Sequence, residues 1–227
     1  NAINSALEHV APMIEGWTGG KARLRILTNL ADRRLAKAEC ILKPETLATP
    51  EYSGEEVRNR ILDGAALSEV DVYRTVTHNK GIFNGIDAVL IACGNDWRAV
   101  EAGGHSFAFA DGTPHPLTHW RKDSKGNLIG TIELPMAIGV IGGATRVHPT
   151  AQAALKLMKI KTARELASIL AAVGLAQNLA ALRALSTVGI QKGHMALHAR
   201  QVAIAAGAKT SQIEAVAQEL RLAKKIT

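Results

Sequence analysis

Aromatic residues are scarce in this chain: Phe, Trp and Tyr make up 4% of its 227 residues. Proteins that bind single-stranded nucleic acid usually combine a basic groove with aromatic side chains that stack on the bases. The chain has 27 basic and 20 acidic side chains, a net charge of +7, but its Lys and Arg residues are dispersed in short groups. We therefore expect no nucleic-acid partner, and we interpret the basic balance as a solvated surface that favours anionic ligands.

Cysteine and long apolar runs are also lacking. The two cysteines, Cys40 and Cys93, lie in apolar surroundings and form no CxxC pattern. This excludes a disulfide framework and a cysteine metal site, and it is typical of buried, reduced thiols. No apolar run reaches the roughly 18 residues of a membrane helix. We expect a cytoplasmic protein with no membrane partner.

The hydrophobic pattern predicts an α+β fold. Hydrophobic residues make up 47% of the chain and charged residues 21%, as in ordinary globular domains. Residues 163–187 are apolar nearly all round, which predicts a buried central helix. Residues 71–81 are polar and predict a loop. The other predicted helices cover 2–14, 97–105, 193–206 and 211–224 and begin near 54, 82 and 149. The predicted strands are 21–26, with 34–42 as its candidate partner, and 117–120 and 128–134, which the turn residues 123–127 join in a hairpin. Thr162 and Glu165 form a capping box at the start of the central helix.

Lys80 is the strongest candidate for chemistry. It stands between Asn79 and Gly81 at the end of the predicted loop, next to an apolar segment. A lysine held out of bulk water can stabilise an oxyanion, donate a proton or form a Schiff base. The alternative is an ordinary surface lysine. Asp96, at the other end of the apolar segment, is either a helix N-cap or a carboxylate that keeps a nearby lysine charged.

Two histidines and an amide pair complete the candidates. His194 and His198 are four residues apart, so they share one face of a helix. That spacing can bind zinc, but Met195 stands where a metalloprotease has Glu, so we favour acid or base chemistry and predict no metal. Gln177 and Asn178 interrupt the apolar central helix. Buried amides need partners, so these two line a site or belong to a polar network.

Five segments together carry a resemblance to a known family. In chain order they look like 3-hydroxy-3-methylglutaryl-coenzyme A reductase, and the closer match is to the class II enzymes of bacteria and archaea. The likeness covers essentially all of the chain. The segments are THNKGIFNGID, ACGNDWRAVEAG, LPMAIGVIGGAT, VGLAQNLAALRAL and IQKGHMALHAR.

The resemblance implies a reaction and its catalytic residues. The family interconverts 3-hydroxy-3-methylglutaryl-coenzyme A (HMG-CoA) and mevalonate plus coenzyme A, a step of isoprenoid metabolism, with NADH or NADPH as the source of two hydrides. Lys80 would stabilise the oxyanion, and Asp96 would position Lys80 and favour its charged form. His194 would protonate the coenzyme A thiolate, delivered by a mobile C-terminal segment.

The resemblance also implies binding residues and an assembly. Arg74, Asn84, His198 and Gln177 would bind the substrate. Asn1 and Asn29 would bind the nicotinamide cofactor. Family members form homodimers, or larger oligomers, with the active site at the subunit interface.

One part of the family pattern is missing. The glutamate motif E-N-x-I-G and most of the D-A-M-G-x-N cofactor motif are absent, so we expect both to precede Asn1 and the chain to be a C-terminal portion. Residues 1–28 would then end a small, non-Rossmann dinucleotide-binding domain, residues 29–188 would form a large substrate-binding domain, and residues 189–227 a C-terminal helical flap. The alternatives are a Schiff-base lyase built on Lys80, a non-catalytic module that binds coenzyme A or another anion, and, third, a zinc hydrolase.

Overall fold

The computed structural model describes residues 2–222, except for the side chains of Ala144 and of residues 190–197. In that range helices surround one small sheet, which confirms the α+β class. The strands are β1 (Leu35–Leu42), β2 (Thr118–Lys122) and β3 (Leu128–Pro135), and a 3-10 turn covers Pro44–Leu47. The helices are α1 (Ala2–Thr18), α2 (Gly54–Val70), α3 (Val72–Ala92), α4 (Trp97–Phe107), α5 (Ala144–Val147), α6 (Pro149–Leu157), α7 (Ala163–Ser186), α8 (Ile190–Ala205) and α9 (Ile213–Leu222).

The sheet is antiparallel with the strand order β1-β3-β2. Its long pair runs from Leu35 opposite Pro135 to Leu42 opposite Leu128. The predicted β2–β3 hairpin is confirmed. Its turn is held by the Asp123 carboxylate, which accepts hydrogen bonds from the backbone of residues 125 and 127.

Helix α7 is the core helix, as predicted, but it is buried along one stripe rather than all round. A capping box at its start, Thr162 with Glu165, fixes where it begins. The stripe packs on β1 and β3, and α3 packs against α7. Each fully buried Leu or Ile side chain contributes about 1.5–3 kcal/mol of transfer free energy. The core includes Ile82, Phe83, Ile86 and Leu90 of α3, Ile132 and Leu134 of β3, and Leu166, Leu170 and Leu175 of α7.

By length and composition alone, α7 is also apolar enough to cross a membrane. A core helix of a soluble domain passes the same test. Here the apolar stripe of α7 faces the sheet and α3, so the core accounts for its composition.

The contact between α3 and α7 depends on glycine. A Cβ added to Gly85 would lie 2.9 Å from Cβ of Gln177 on α7. A Cβ added to Gly174 of α7 would lie 2.8 Å from Cδ1 of Ile86 on α3. The two helix surfaces therefore approach more closely than a methyl group on either glycine would allow.

The predicted strand 21–26 is wrong. Residues 20–30 are not in a strand, and β1 pairs with β3 instead. Side chains of α1 accept hydrogen bonds from two backbone amides of this segment that a neighbouring strand would otherwise bind. Glu15 accepts one from the Ala22 amide (2.8 Å), and Asn4 accepts one from the Leu27 amide (2.8 Å). The alternation in the sequence is real, but within residues 2–222 no neighbouring strand pairs with it, and Leu24 stays 82% exposed.

The predicted loop 71–81 is wrong as well, because α3 spans Val72–Ala92. Asp71 ends α2 and caps α3, since its carboxylate accepts the Tyr73 amide hydrogen bond at 3.0 Å. Lys80 therefore lies in the middle of a helix and not in a bend. Asn, Thr and Gly lower helix propensity here, and packing against α7 overrides that local preference.

Replacing Gly85 with Ala should destabilise the protein by about 1–2 kcal/mol, because the clash outweighs the gain in helix propensity. The matched control is Gly64→Ala on α2, where an added Cβ would meet Cδ2 of Leu182 at an ordinary 3.5 Å. That change should stabilise by about 0.5–1 kcal/mol. Urea unfolding of both variants measures the difference, and equal effects would mean that α3 and α7 are not closely packed.

Candidate active site

The site is built on the exposed stripe of α3 that carries Lys80. Residues four and seven positions apart lie on one helical face, so Lys80 shares this face with Asn84 and Asp87. The Lys80 ammonium donates a hydrogen bond to Oδ1 of Asn84 at 2.8 Å. Both side chains are exposed, so the stripe presents a cation and an amide to a ligand or to a neighbouring surface.

A pair of carboxyl groups lies at the end of this stripe. Oδ1 of Asp87 is buried and accepts no hydrogen bond from a conventional donor among residues 2–222. Burial, the negative charge of Glu101 on α4 and a hydrogen bond with Glu101 together raise the pKa of Asp87 to about 7, against the opposing effect of the Lys80 charge. The Asp87 carboxyl group is therefore protonated more readily than a free carboxyl group, which leaves less negative charge beside Lys80.

Asp96 is the N-cap of α4. Its carboxylate accepts a hydrogen bond from the Ala99 amide at 3.1 Å. The ion pairs among the described residues do not include one between Asp96 and Lys80. The capping role is confirmed, and the role of Asp96 toward Lys80 stays a prediction.

A buried polar network lies on the inner side of α3, in the same helical turn as Lys80. Nε2 of His78 lies 2.6 Å from Oγ1 of Thr118. Oδ1 of Asn178 accepts hydrogen bonds from Oγ1 of Thr118 (2.9 Å) and from Nε1 of Trp120 (2.8 Å). Burial, together with the charges of Arg74 and His119, lowers the pKa of His78 to about 4. His78 is therefore neutral at physiological pH.

Asn79 fastens the same turn to the segment that leads into β2. Its amide nitrogen donates to the His115 carbonyl at 2.8 Å, and its amide oxygen accepts the Leu117 N–H at 2.9 Å. The side chain thus bonds to the backbone as a neighbouring strand would. Of the two residues that precede Lys80, His78 is thus fixed to β2 and Asn79 to the segment before β2.

Arg74 lines a groove between α2 and the end of α7. The groove has a volume of about 480 Å³. Arg60 also lines it, stacks on the ring of Tyr52 at 4.3 Å and forms an ion pair with Glu56 at 2.9 Å. Burial lowers the pKa of Arg74 from that of a free guanidinium. Arg74 remains a cation, half-buried one turn and a half before Lys80, and it suits an anionic group.

The other predicted binding residues lie at several places. Gln177 is half-buried and lies on α7 against Gly85 of α3. Because Gly85 follows Asn84 directly in the chain, this contact brings Gln177 toward the Lys80 stripe. Asn29 is exposed. Its carbonyl oxygen packs against α4, since a Cβ added to Gly103 would lie only 2.6 Å from it. The described hydrogen bonds do not link Asn29 to Lys80.

The histidine pair lies partly outside the described residues. His198 is exposed on α8, and the hydrogen bonds of the described residues do not join it to Lys80 or Arg74. The side chain of His194 and the whole of Asn1 lie outside the described residues. Helices α8 and α9 form a pair of their own, with Ala199 packed on Ala217 and an Arg200–Glu214 ion pair of 2.8 Å.

Sequence reasoning missed three residues of the site. Asp87 stands seven residues after Lys80, so a helical interpretation of 72–92 would have placed both on one face. His78 and Asn79 looked like loop residues because the segment was predicted to be a loop. Asn178 was recognised as needing partners, and the prediction of a polar network is confirmed.

Comparisons with known proteins point to one family. A family model described as hydroxymethylglutaryl-coenzyme A reductase matches residues 1–199. The 3-hydroxy-3-methylglutaryl-coenzyme A reductase of Archaeoglobus fulgidus is 54% identical over 96% of this chain and 49% of its own length. A probable reductase of the same name from Borreliella burgdorferi is 37% identical over 89% of this chain and 47% of its own length.

Solved structures agree with the sequence relatives. The class II 3-hydroxy-3-methylglutaryl-CoA reductase from Streptococcus pneumoniae, bound to NADPH in open conformations, is 41% identical. It superimposes with a TM-score of 0.75 over 96% of this chain and 53% of the other. The chain spans about half the length of the relatives it matches. On this evidence the chain belongs to the hydroxymethylglutaryl-coenzyme A reductase family.

Proposed function

We propose that this chain carries the catalytic lysine and most of the substrate domain of an NAD(P)H-dependent HMG-CoA reductase. The observation that carries the proposal is the stripe of Lys80, Asn84 and Asp87 on α3, with Asp96 at the start of the adjacent α4. The family match and the NADPH named for the Streptococcus pneumoniae relative support the reaction class. Substrates would be HMG-CoA, mevalonate and coenzyme A.

The residues present fit a nicotinamide partner. Asn29 offers an exposed carboxamide, which can both donate to and accept from the carboxamide of nicotinamide. Each reduced nicotinamide bound there would supply one hydride, so the reduction of the thioester to the alcohol would use two cofactor molecules in turn. Asn1 would add a second contact.

The chain's own residues would stabilise or neutralise the negative charges that the substrate carries and develops during the reaction. When a thioester carbonyl becomes tetrahedral, negative charge develops on its oxygen, and the Lys80 ammonium, held by Asn84, stabilises that charge. When the carbon–sulfur bond then breaks, the sulfur leaves as a thiolate, and His194 gives it a proton. The aldehyde that remains would be reduced by the second hydride in the same place, and the Lys80 ammonium would donate a proton to the alkoxide oxygen that forms. Arg74 holds the carboxylate of the substrate, assisted by Gln177 and His198.

The domain division follows from these roles. Residues 1–28 would complete a small nucleotide-binding domain, and residues 29–188 the substrate domain. Residues 189–227, with the separate α8–α9 pair, would form the flap that delivers His194 and closes the site. The stripe of α3 would face a second subunit, because Tyr73 and Ile91 on the same side of the helix are 86% and 62% exposed.

Replacing Lys80 with Ala in the full gene product should lower kcat at least 100-fold, since loss of one oxyanion-stabilising group costs about that much. The assay follows the absorbance of NADH or NADPH at saturating HMG-CoA, and the wild type should oxidise about two cofactors per thioester. Lys37→Ala, an exposed lysine on β1, is the control and should change nothing. A folded wild type that oxidises no cofactor would refute the reductase activity. Borohydride trapping of Lys80 with a carbonyl compound would then favour the lyase. Tight coenzyme A binding without turnover would favour the binding module.

Replacing Asp96 with Asn separates capping from catalysis. Asn caps helices as well as Asp does, so Tm should stay within about 2 °C, because the stability change is a few tenths of a kcal/mol. The substitution removes the negative charge that would position the Lys80 ammonium, so kcat should fall at least 100-fold, as it does when an oxyanion-stabilising group is lost. Asp96→Ala, which also removes the cap, should lose about 1 kcal/mol of stability in addition. Full activity of Asp96→Asn would leave Asp96 as a cap alone.

Replacing Asp87 with Asn should change how stability depends on pH. The folded pKa, about 7, lies above the ordinary 3.8, so the wild type binds an extra proton on folding and loses stability as pH rises from about 4 to 7. Asn imitates the protonated carboxyl group, so the variant should be more stable above pH 7, on the order of 1–2 kcal/mol after solvent screening, and equal near pH 4. Urea unfolding from pH 4 to 8 measures this, with the exposed Asp32→Asn as control; parallel curves would rule out a raised Asp87 pKa.

A further inference from the structure

The buried network behind α3 sets the direction of the Lys80 side chain. Lys80 follows directly on His78 and Asn79, and all three belong to the same helical turn. Both preceding residues are 2% exposed and both are bonded to β2 or the segment before it. A helix fixed at two adjacent positions cannot rotate about its axis without breaking these bonds, so the position of residue 80 is fixed too.

The proton positions of the network are nearly determined by one group. The indole N–H of Trp120 is a donor only, so the atom of Asn178 that it contacts at 2.8 Å must be the oxygen. The Asn178 amide nitrogen then faces Nε2 of His78 at 3.2 Å. A protonated imidazole would place one donor against another there, whereas a neutral ring with an unprotonated Nε2 can accept from the Asn178 amide. The Thr118 hydroxyl has a single proton, which goes either to Nε2 of His78 or to Oδ1 of Asn178. The geometry therefore suits a neutral His78.

Asn178 joins three elements through this one side chain. It lies on α7, contacts His78 on α3, and accepts from Thr118 and Trp120 on β2. It is 2% exposed. The hydrophobic packing of α3 on α7 is not directional, but these hydrogen bonds are, and they select one rotation of α3 relative to β2.

We propose that His78 and Asn178 are positioning residues, which act through the rotation of α3 to aim the Lys80 ammonium at the oxygen that becomes negatively charged. The inference rests on the proposed role of Lys80. A displacement of about 1 Å at a catalytic group costs on the order of 100-fold in rate. Loss of the network should therefore reduce kcat far more than it changes KM, because the first turn of α3, which carries Arg74, is held to α2 by the Thr75 hydroxyl and the Ser68 carbonyl and not by the network.

The test uses four variants of the full gene product. Asn178→Leu keeps the volume and removes both hydrogen-bonding atoms, and it should lower kcat 10- to 100-fold with KM for HMG-CoA changed less than threefold. His78→Leu should behave alike. His78→Gln keeps a nitrogen or oxygen near the position of Nε2 and should recover at least half of the lost rate on a logarithmic scale. Arg58→Met is the matched control.

Arg58 suits the control because it is also buried, 6% exposed, and its hydrogen bonds go to Asn59 and to the Gly126 carbonyl rather than to α3. The Tm of the Arg58→Met variant should fall by about as much as that of Asn178→Leu, whereas the kcat of its folded fraction should not change. Rates are compared at a temperature where circular dichroism shows all variants folded. If kcat falls in proportion to Tm in all four variants, or if His78→Gln is no better than His78→Leu, the network is merely structural and the proposal is wrong.

A second readout separates this proposal from the proposed function. Amide hydrogen exchange of residues 76–84 should quicken at least tenfold in Asn178→Leu, and not in Arg58→Met. If Lys80→Ala retains full activity, the proposed function fails whatever the network does. If Lys80→Ala is inactive but Asn178→Leu keeps both its kcat and its slow exchange in α3, only the positioning role is refuted.

Discussion

The close contact of α3 with α7 is the constraint from which the site follows. Glycine on each helix makes room for a side chain of the other: Gln177 packs against Gly85, and Ile86 packs against Gly174. The buried face of α3 then holds Ile82, Phe83 and Ile86. Because a helix has only one other face to offer, Lys80, Asn84 and Asp87 must point outward. Core packing thus decides which groups are available for chemistry before any polar contact is made.

Polar groups are divided between the two faces of α3 by their cost of burial. On the inner face His78 is neutral, and its network satisfies the buried polar atoms. On the outer face the ammonium of Lys80 keeps its charge in contact with solvent and with Asn84. An unpaired charge on the inner face would be costly, and a neutral group on the outer face would do nothing for an oxyanion. The low pKa of His78 and the exposure of Lys80 are two results of the same division.

The sequence predicted the elements whose signals are local. The cap at Asp96, the capping box at Thr162 and the Asp123 turn each depend on side chains within four residues, and each is present. The strand 21–26 failed because pairing depends on a partner elsewhere in the chain. The loop 71–81 failed because tertiary packing outweighs weak local propensity. Lys80 was a candidate from its sequence neighbours alone, and Asn84 and Arg74 were predicted through family resemblance. Asp87 and His78 depend on a helical register that was not predicted.

The stripe on α3 is incomplete as a catalytic centre by its own physics. A fixed cation stabilises an oxyanion strongly only where water is excluded, and Lys80 is exposed. Around it on the same side of the helix, Tyr73 is 86%, Val76 52% and Ile91 62% exposed. Large exposed apolar side chains on both sides of an exposed cation are typical of an interface. A surface packed on them would also exclude water from Lys80. The proposed function therefore requires a second surface against α3, from the rest of the full-length protein or from another subunit, and the rate enhancement would depend on how well that surface excludes water from Lys80.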